Sequence, residues 1–304
     1  GVSVDTRGVF ETLRAARLAV STGDGSSVEC FHDKVREAVC LSLAADTLRQ
    51  VHAALAKVLT AEPAPDRAQL AAHLLGAGEP ARAVVELVRA AELAFDELGF
   101  DRAARLYGEA LALGGFDPEA TQRFRVARAQ ALAEAGRARL AAEAYLDAMQ
   151  HAASDAAHQL EHSAAVQHLY GGGLEEGRRL LARTLARRGV RLPLGMRGTL
   201  AALLVERTRL RLRGLDYRER VPEPPKAELL ALLETSTLAL LRLDFLGAAV
   251  LDARRLRLAL DAGDAAAVAF GLTREMWNRH LGLGDPHDVP KIEKRLGALL
   301  ARTD

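Results

Sequence analysis

The stretches "AELAFDELGFDRAARLYGEALAL" (91–113) and "ARAQALAEAGRARLAAEAYLDAM" (127–149) decide the fold. Each carries a small residue, an aromatic residue and a second small residue at the same spacing. These are Ala103, Tyr107 and Ala110 in the first stretch, and Ala141, Tyr145 and Ala148 in the second. On a helix these positions share one face. The small residues let two helices approach closely and the tyrosine fills the adjoining gap, so each stretch predicts a helical hairpin.

A third, weaker stretch, "GGGLEEGRRLLARTL" (171–185), places Gly177 and Leu181 at the corresponding positions. The step is 38 residues from Ala103 to Ala141 and 36 residues from Ala141 to Gly177. The period and the spacing resemble those of tetratricopeptide (TPR) repeats. The predicted fold class is therefore all-α, a TPR-like α-α superhelical repeat array.

The N-terminal segment departs from this helical pattern. Two short alternating runs, "RLAVS" (17–21) and "VECF" (28–31), flank "TGDGSS", and Asp-Gly between such runs predicts a β-hairpin. A short helix precedes the hairpin, and Asp33 is placed to cap the helix that follows it. The order of a helix, a β-hairpin and a second helix resembles the later half of a winged-helix domain. Residues 1–41 are therefore predicted to be a partial winged-helix region.

Glycine and proline divide the remaining chain into helices. Gly78 and Pro80 are suited to the end of one helix and the start of the next, and Asp117 with Pro118 repeats this pattern. The predicted divisions are TPR-like repeats at 42–190, an irregular linker region with one helix at 191–224, and further helical repeats at 225–304.

Composition narrows the function classes. Apolar residues make up 49% of the chain and its formal net charge is +1, so no strong overall field favours nucleic acid or an anionic membrane. The two cysteines, Cys30 and Cys40, form no disulfide framework and are expected to be buried free thiols of a cytoplasmic protein. The most apolar segment, 228–251, is interrupted by charged residues and predicts buried helices, without a membrane span.

The segment "HQLEH" (158–162) fits a pattern found in zinc peptidases. His158 and His162 lie one helical turn apart and could reach one zinc ion, with Glu161 as the base. No third ligand is evident downstream, and the position fits the first helix of the third hairpin. An ordinary helix surface is the favoured interpretation, and adventitious metal binding and a zinc-dependent hydrolase are the alternatives.

The stretch 174–220 is locally basic, with thirteen arginines against five acidic residues. Arg207, Arg209, Arg211 and Arg213 lie two residues apart, so on a helix they spread over several faces. Arginines that are solvated or paired within the molecule are the first interpretation. An acidic protein surface and a nucleic-acid backbone are the second and third, and few aromatic residues accompany the arginines to stack on bases.

Two N-terminal segments resemble the junction found in STAND-type signalling ATPases. These are "FHDKVREAV" and "AQLAAHLLGAGEPARAVVELVRAAELAFDELGFDRAARLYGEALAL", and the likeness is greatest to bacterial forms that fuse a Ser/Thr protein kinase to an AAA-type ATPase. In that family a winged helix closes the ATPase module, a corner matched by His32, Asp33, Arg36 and Glu37 follows its wing, and TPR-like helices come next. The resemblance implies that this chain is part of a larger regulator.

The function that the resemblance implies is recognition without catalysis. The nucleotide-binding motifs of such ATPases and kinases are absent from this sequence, so neither catalytic residues nor a cofactor are expected here. The repeats are expected to bind a protein partner, a neighbouring domain of the parent chain or a small-molecule effector, and so to restrain or release the nucleotide switch. Oligomeric state is left open. The residues predicted to line the partner surface are Arg89, Glu92, Asp96, Arg128 and Gln130.

Overall fold

A computed structural model describes residues 6–21 and 28–301 of the chain. The described part contains fifteen α-helices and one pair of β-strands, which confirms the all-α repeat class. The elements are α1 (Thr6–Ala15), β1 (Ala19–Ser21), β2 (Val28–Cys30), α2 (Asp33–Ser42), α3 (Ala45–Ala61), α4 (Arg67–Gly76), α5 (Pro80–Asp96), α6 (Phe100–Leu113), α7 (Pro118–Glu134), α8 (Ala138–Gln150), α9 (Ser154–Tyr170), α10 (Leu174–Arg187), α11 (Met196–Arg213), α12 (Pro224–Leu240), α13 (Phe245–Ala262), α14 (Ala265–His280), a 3-10 turn (Pro286–Asp288) and α15 (Val289–Leu300).

The chain divides into two compact units. The first contains the described residues up to Leu93 together with Ala112–Gly115, and the second contains Ala94–Leu111 and the chain from Phe116 onward. In the first unit β1 and β2 pair antiparallel, with Ala19 opposite Cys30. The predicted Asp-Gly turn between them lies outside the described residues, and the winged-helix assignment stays a prediction.

Two expectations for the first unit were wrong. Cys30 and Cys40 are free thiols, but both are exposed, because the helix and strand that carry them present these positions to solvent. Asp33 is the first residue of α2 and not its cap; the capping position is held by His32, whose side chain makes no capping hydrogen bond.

The predicted helix boundaries are confirmed where capping residues mark them. The Asp66 side chain accepts hydrogen bonds from the Ala68 and Gln69 backbone N–H groups of α4. Asp117 accepts one from the Ala120 N–H of α7, which begins at Pro118. Gly78 follows the end of α4 with φ of +82°, a left-handed conformation that a residue without Cβ adopts at little cost. Pro80 begins α5.

Helices α7, α8, α9 and α10 pack consecutively, each on the next, in the second unit. The residues of the predicted small–aromatic–small pattern in α6 and α8 are buried, as are Gly177 and Leu181 of α10. Gly177 marks a close helix crossing, since a Cβ atom placed there would lie 2.7 Å from Leu169 Cγ and 3.0 Å from the Ala165 carbonyl oxygen of α9. The spacing in the sequence therefore identifies the buried faces correctly.

Helix α13 is the centre of the C-terminal half of the second unit. It packs against α11, α12 and α14, and α12 in turn packs on α9. Twelve of its residues are buried, so it is apolar around most of its circumference. One of the hydrophobic cores joins Leu251 of α13 to Leu181 of α10 and Leu240 of α12, and a second joins Leu256 to Leu210 of α11 and Leu272 of α14.

Hydrogen bonds attach the predicted linker to the C-terminal end of α13 within the second unit. Beyond α11, the Arg220 backbone N–H donates to Gly263 O at 2.9 Å, and its Nε donates to Ala262 O at 2.8 Å. Its Nη2 donates to Asp261 O. A guanidinium thus satisfies carbonyls at the C-terminal end of α13, where a positive charge also complements the helix dipole.

A second arginine fastens the loop before α11. Arg178 of α10 donates through Nη2 to Pro193 O and to Thr199 Oγ1 at 2.8 Å, and its Nη1 lies 2.5 Å from Asp244 Oδ2. Asp244 also caps α13 through Gly247 N. One side chain therefore links α10, the start of α11 and the start of α13. None of the described helices has the length and apolar character that crossing a membrane requires.

Candidate functional site

Helix α11 carries the predicted basic patch and has two different faces. Its inner face, with Thr199, Leu203, Glu206 and Leu210, is buried, and α13 is the helix it packs on. Glu206 is only 1% exposed and holds arginines from both helices: Arg254 Nη2 at 2.6 Å and Arg209 Nη1 at 3.0 Å. Burial opposes ionisation of this carboxyl, but Arg254 and its neighbouring arginines outweigh that effect and lower the pKa of Glu206.

Three of the four patch arginines are paired within the molecule. Arg207 Nη1 binds Glu275 at 2.5 Å, Arg209 binds Glu206, and Arg213 Nε binds Asp261 at 2.9 Å. Arg211 has no hydrogen-bond or ion-pair partner in the described chain. The sequence placed these residues on several faces, and the fold uses most of them as internal ion pairs.

The outer face of α11 is rich in exposed large apolar side chains. Met196 is 66% exposed, Leu200 49%, Leu204 70% and Leu212 82%. They recur every four residues, with Thr208 at the one intervening position that is not apolar. Residues at this spacing form a strip that winds slowly along the helix. We call Met196, Leu200, Leu204 and Leu212 the α11 outer strip. A helix that is apolar on both sides is typical of one covered on both sides.

The charge beside the α11 outer strip is positive. Arg197 and Arg211 are exposed on the same helix, and neither has a carboxylate partner among the described residues. Glu206 is the only acidic residue of 196–213, and it is buried on the inner face. The strip therefore combines exposed apolar area with unbalanced positive charge.

The predicted partner-binding residues all have exposed side chains. Arg89, Glu92 and Asp96 lie on α5, and Arg128 and Gln130 lie on α7. Arg89 pairs with Glu86 of its own helix at 2.9 Å, and the Arg128 guanidinium lies next to Gly108 of α6, whose missing Cβ leaves it room. Their role in binding stays a prediction.

The "HQLEH" helix, α9, uses its charged residues in packing. Glu161 is 1% exposed and its carboxylate is held by Arg183 at 3.0 Å and by Arg187. His162 Nε2 lies 3.0 Å from Ser236 Oγ, whose own proton is directed to Leu232 O, so the imidazole is the donor of this bond. Burial lowers the pKa of His162 to about 4.

His158 and His162 line one small cleft of about 370 Å³. Among residues 6–21 and 28–301, no three His, Cys, Asp or Glu side chains come together as metal ligands. With both oxygens of Glu161 facing guanidinium groups, that carboxylate is poorly placed to accept a proton from a zinc-bound water. The favoured interpretation, an ordinary helix surface, was wrong for Glu161 and His162, because both are buried where α9 packs on its neighbours.

Sequence reasoning missed the α11 outer strip. The four apolar positions are visible in "MRGTLAALLVERTRLRLR", but they alternate with arginines and with the apolar residues of the inner face. Only the packing of α11 on α13 identifies which of the two apolar faces is covered.

The comparison with solved structures gives only weak likeness. No protein-family model matches the chain, and no curated protein matches it. A similar solved structure is the crystal structure of BtubC (BKLC) from P. vanneervenii, with 16% sequence identity and a TM-score of 0.46, covering 86% of this chain and 93% of that one. At that score the likeness carries no argument about fold or function.

Proposed function

We propose that this chain is a non-catalytic helical-repeat recognition region, and that the α11 outer strip docks an acidic amphipathic helix. The observation that carries the proposal is the exposed apolar strip with unpaired Arg197 and Arg211 beside it. A partner helix with apolar residues on one side and carboxylates along its margins matches both properties of the strip.

The apolar contacts supply most of the expected binding free energy. Burying one leucine side chain contributes about 1.5–3 kcal/mol, and the strip offers several side chains of this size. Leu212, at 82% exposed, has the most area left to bury. The exposed arginines would speed association and orient the partner, while contributing less to affinity because water and salt screen them.

A synthetic peptide provides the test. We expect a fluorescent amphipathic helix with leucines on one side and glutamates on the other to bind the full chain, and fluorescence anisotropy measures its Kd. Leu212→Glu and Leu200→Glu should each weaken binding by about tenfold or more, since each removes apolar contact and adds repulsion. A peptide with lysine in place of glutamate should bind far more weakly.

Leu41→Glu is the matched control. Leu41 is 81% exposed on a helix of the first unit, so the substitution adds the same charge without touching the strip. Equal weakening by Leu41→Glu and Leu212→Glu would contradict the proposal. So would self-association of the wild-type chain that Leu212→Glu abolishes, because the strip would then be covered by a second copy.

The wider setting is also proposed, on the sequence resemblance alone. We place this region in the cytoplasm, in a STAND-type signalling ATPase fused to a Ser/Thr kinase, downstream of a winged helix at 1–41. The acidic helix would then belong to a neighbouring domain or to a protein partner. Docking would restrain or release the nucleotide switch.

A further inference from the structure

A separate cleft of about 820 Å³ lies among α11, α14 and α15 in the second unit. Its volume falls in the range of small-molecule sites. Its lining contains six basic side chains and three carboxylates. The basic residues are Arg207, Arg211, Arg279, Lys291, Lys294 and Arg295.

The three carboxylates are already engaged by the protein. Glu275 accepts from Arg207 and from Arg279 Nε at 2.7 Å. Asp288 accepts from Arg279 Nη1 at 2.8 Å and from Lys291 at 3.2 Å, and Asp285 accepts from the His287 backbone N–H. Arg295 is paired with Asp216 at 2.6 Å, so the surplus positive charge of the cleft is that of Arg211 and Lys294.

Three sets of donors remain without partners in the described chain. The exposed Arg211 and Lys294 form no ion pair with any described residue, and Arg207 Nε and Nη2 are buried without a hydrogen-bond acceptor. Nε and Nη2 form the edge of a guanidinium that binds two oxygens of one carboxylate or phosphate. Arg207 uses only Nη1 on Glu275. A buried polar edge left without a partner is costly, so an acceptor is expected beside it.

The remainder of the lining is apolar. Leu215, Leu283 and Ile292 are among the lining residues, and Ile292 is fully buried. A ligand matched to this cleft has an anionic group for the arginines and lysines and an apolar group for the aliphatic wall. Phosphate suits the anionic part because its several oxygens accept from guanidinium and ammonium groups together.

We propose that this cleft binds a small phosphorylated organic molecule. The phosphate would sit against Arg207 and Lys294, and the organic group against Leu283 and Leu215. The cleft borders the α11 outer strip, since Leu204 and Arg211 are among its lining residues. The proposal nevertheless rests on a different observation from helix docking, namely the unpaired edge of Arg207 and the volume of the cleft. It gives the region a ligand that could regulate it.

Isothermal titration calorimetry on the full chain tests the site with phenyl phosphate, inorganic phosphate and phenol. We expect phenyl phosphate to bind at least about tenfold more tightly than either of the other two probes. Lys294→Gln should weaken phenyl phosphate binding by about tenfold. Arg207→Lys keeps the charge but loses the two-donor edge, so it should weaken binding comparably.

Lys57→Gln on α3 is the matched control and should leave the affinity unchanged, since Lys57 is exposed in the other unit. The proposal is overturned if phenyl phosphate shows no binding at about 5 mM, or if Lys294→Gln does not alter its Kd. If inorganic phosphate binds as tightly as phenyl phosphate, the proposed contact between the organic group and the apolar wall is refuted. Displacement of phenyl phosphate by the acidic peptide would assign the cleft to helix docking instead, whereas Leu212→Glu should weaken the peptide alone.

Discussion

Replacing Gly177 by alanine tests the close crossing of α9 and α10, on which the repeat packing depends. The new Cβ atom would lie 2.7 Å from Leu169 Cγ and 3.0 Å from the Ala165 carbonyl oxygen. Ordinary contacts between carbon atoms are about 3.5–4.0 Å. The leucine side chain can adjust, but the carbonyl belongs to the backbone of α9, so the two helices must move apart.

Two effects of opposite sign set the size of the change. Alanine in place of glycine inside a helix stabilises the folded state by about 0.5–1 kcal/mol. Overpacking a tight contact costs about 1–3 kcal/mol. The centres of these ranges give a net loss of about 1 kcal/mol in the free energy of unfolding for Gly177→Ala.

Gly297→Ala in α15 isolates the packing effect. Outside its own helix backbone, no described atom lies within 4 Å of a Cβ atom at Gly297, so only the gain in helix propensity remains and we expect stabilisation. Urea denaturation followed by far-ultraviolet circular dichroism measures both variants. They should differ by about 2 kcal/mol in opposite directions from wild type. If Gly177→Ala is as stable as Gly297→Ala, the close crossing is refuted.

Two further predictions concern buried ionisable groups. The pKa of His162 is about 4 in the folded protein against an ordinary 6.5, so the fold favours the neutral imidazole. The contribution of this imidazole to the free energy of unfolding is complete above pH 6.5 and is lost as the pH falls toward 4. We expect a loss of about 2 kcal/mol by about pH 5, measured by urea denaturation, which His162→Gln should largely remove. An unchanged pH profile in that variant would refute the assignment. Glu206→Gln should cost about 3 kcal/mol, because Arg254 and Arg209 lose their shared buried carboxylate. Thermal unfolding measures this, and a variant as stable as wild type would show that the cluster contributes little.

The helical part of the fold could be predicted because its signals are local. Capping residues such as Asp117 and glycines such as Gly78 determine where helices end, and each acts within one turn. The small–aromatic–small spacing identified the buried faces of α6 and α8 for the same reason. The thiols of Cys30 and Cys40 were misjudged because residue type alone does not determine exposure in a short element.

The candidate sites depend on contacts between distant parts of the chain. Arg207 meets Glu275 across 68 residues, and Arg213 meets Asp261 across 48. Periodicity indicates which face of a helix is apolar but not which helix covers it, so the pairing of arginines and the exposure of the α11 outer strip could not be read from the sequence. The surplus of arginine in 174–220 was a visible signal, and part of it lies on α11, the helix that carries the proposed docking strip.

The attachment of Arg220 to the end of α13 has a mechanical consequence. Helix α11 packs on α13, and the segment that follows α11 is hydrogen-bonded to the end of α13 through Arg220. Only a short stretch of chain lies between these two contacts. A force applied to the outer side of α11 is therefore transmitted to α13 and from there to α12 and α14. A movement of α11 is therefore expected to be passed on to α13 through these hydrogen bonds as well as through the packed interface.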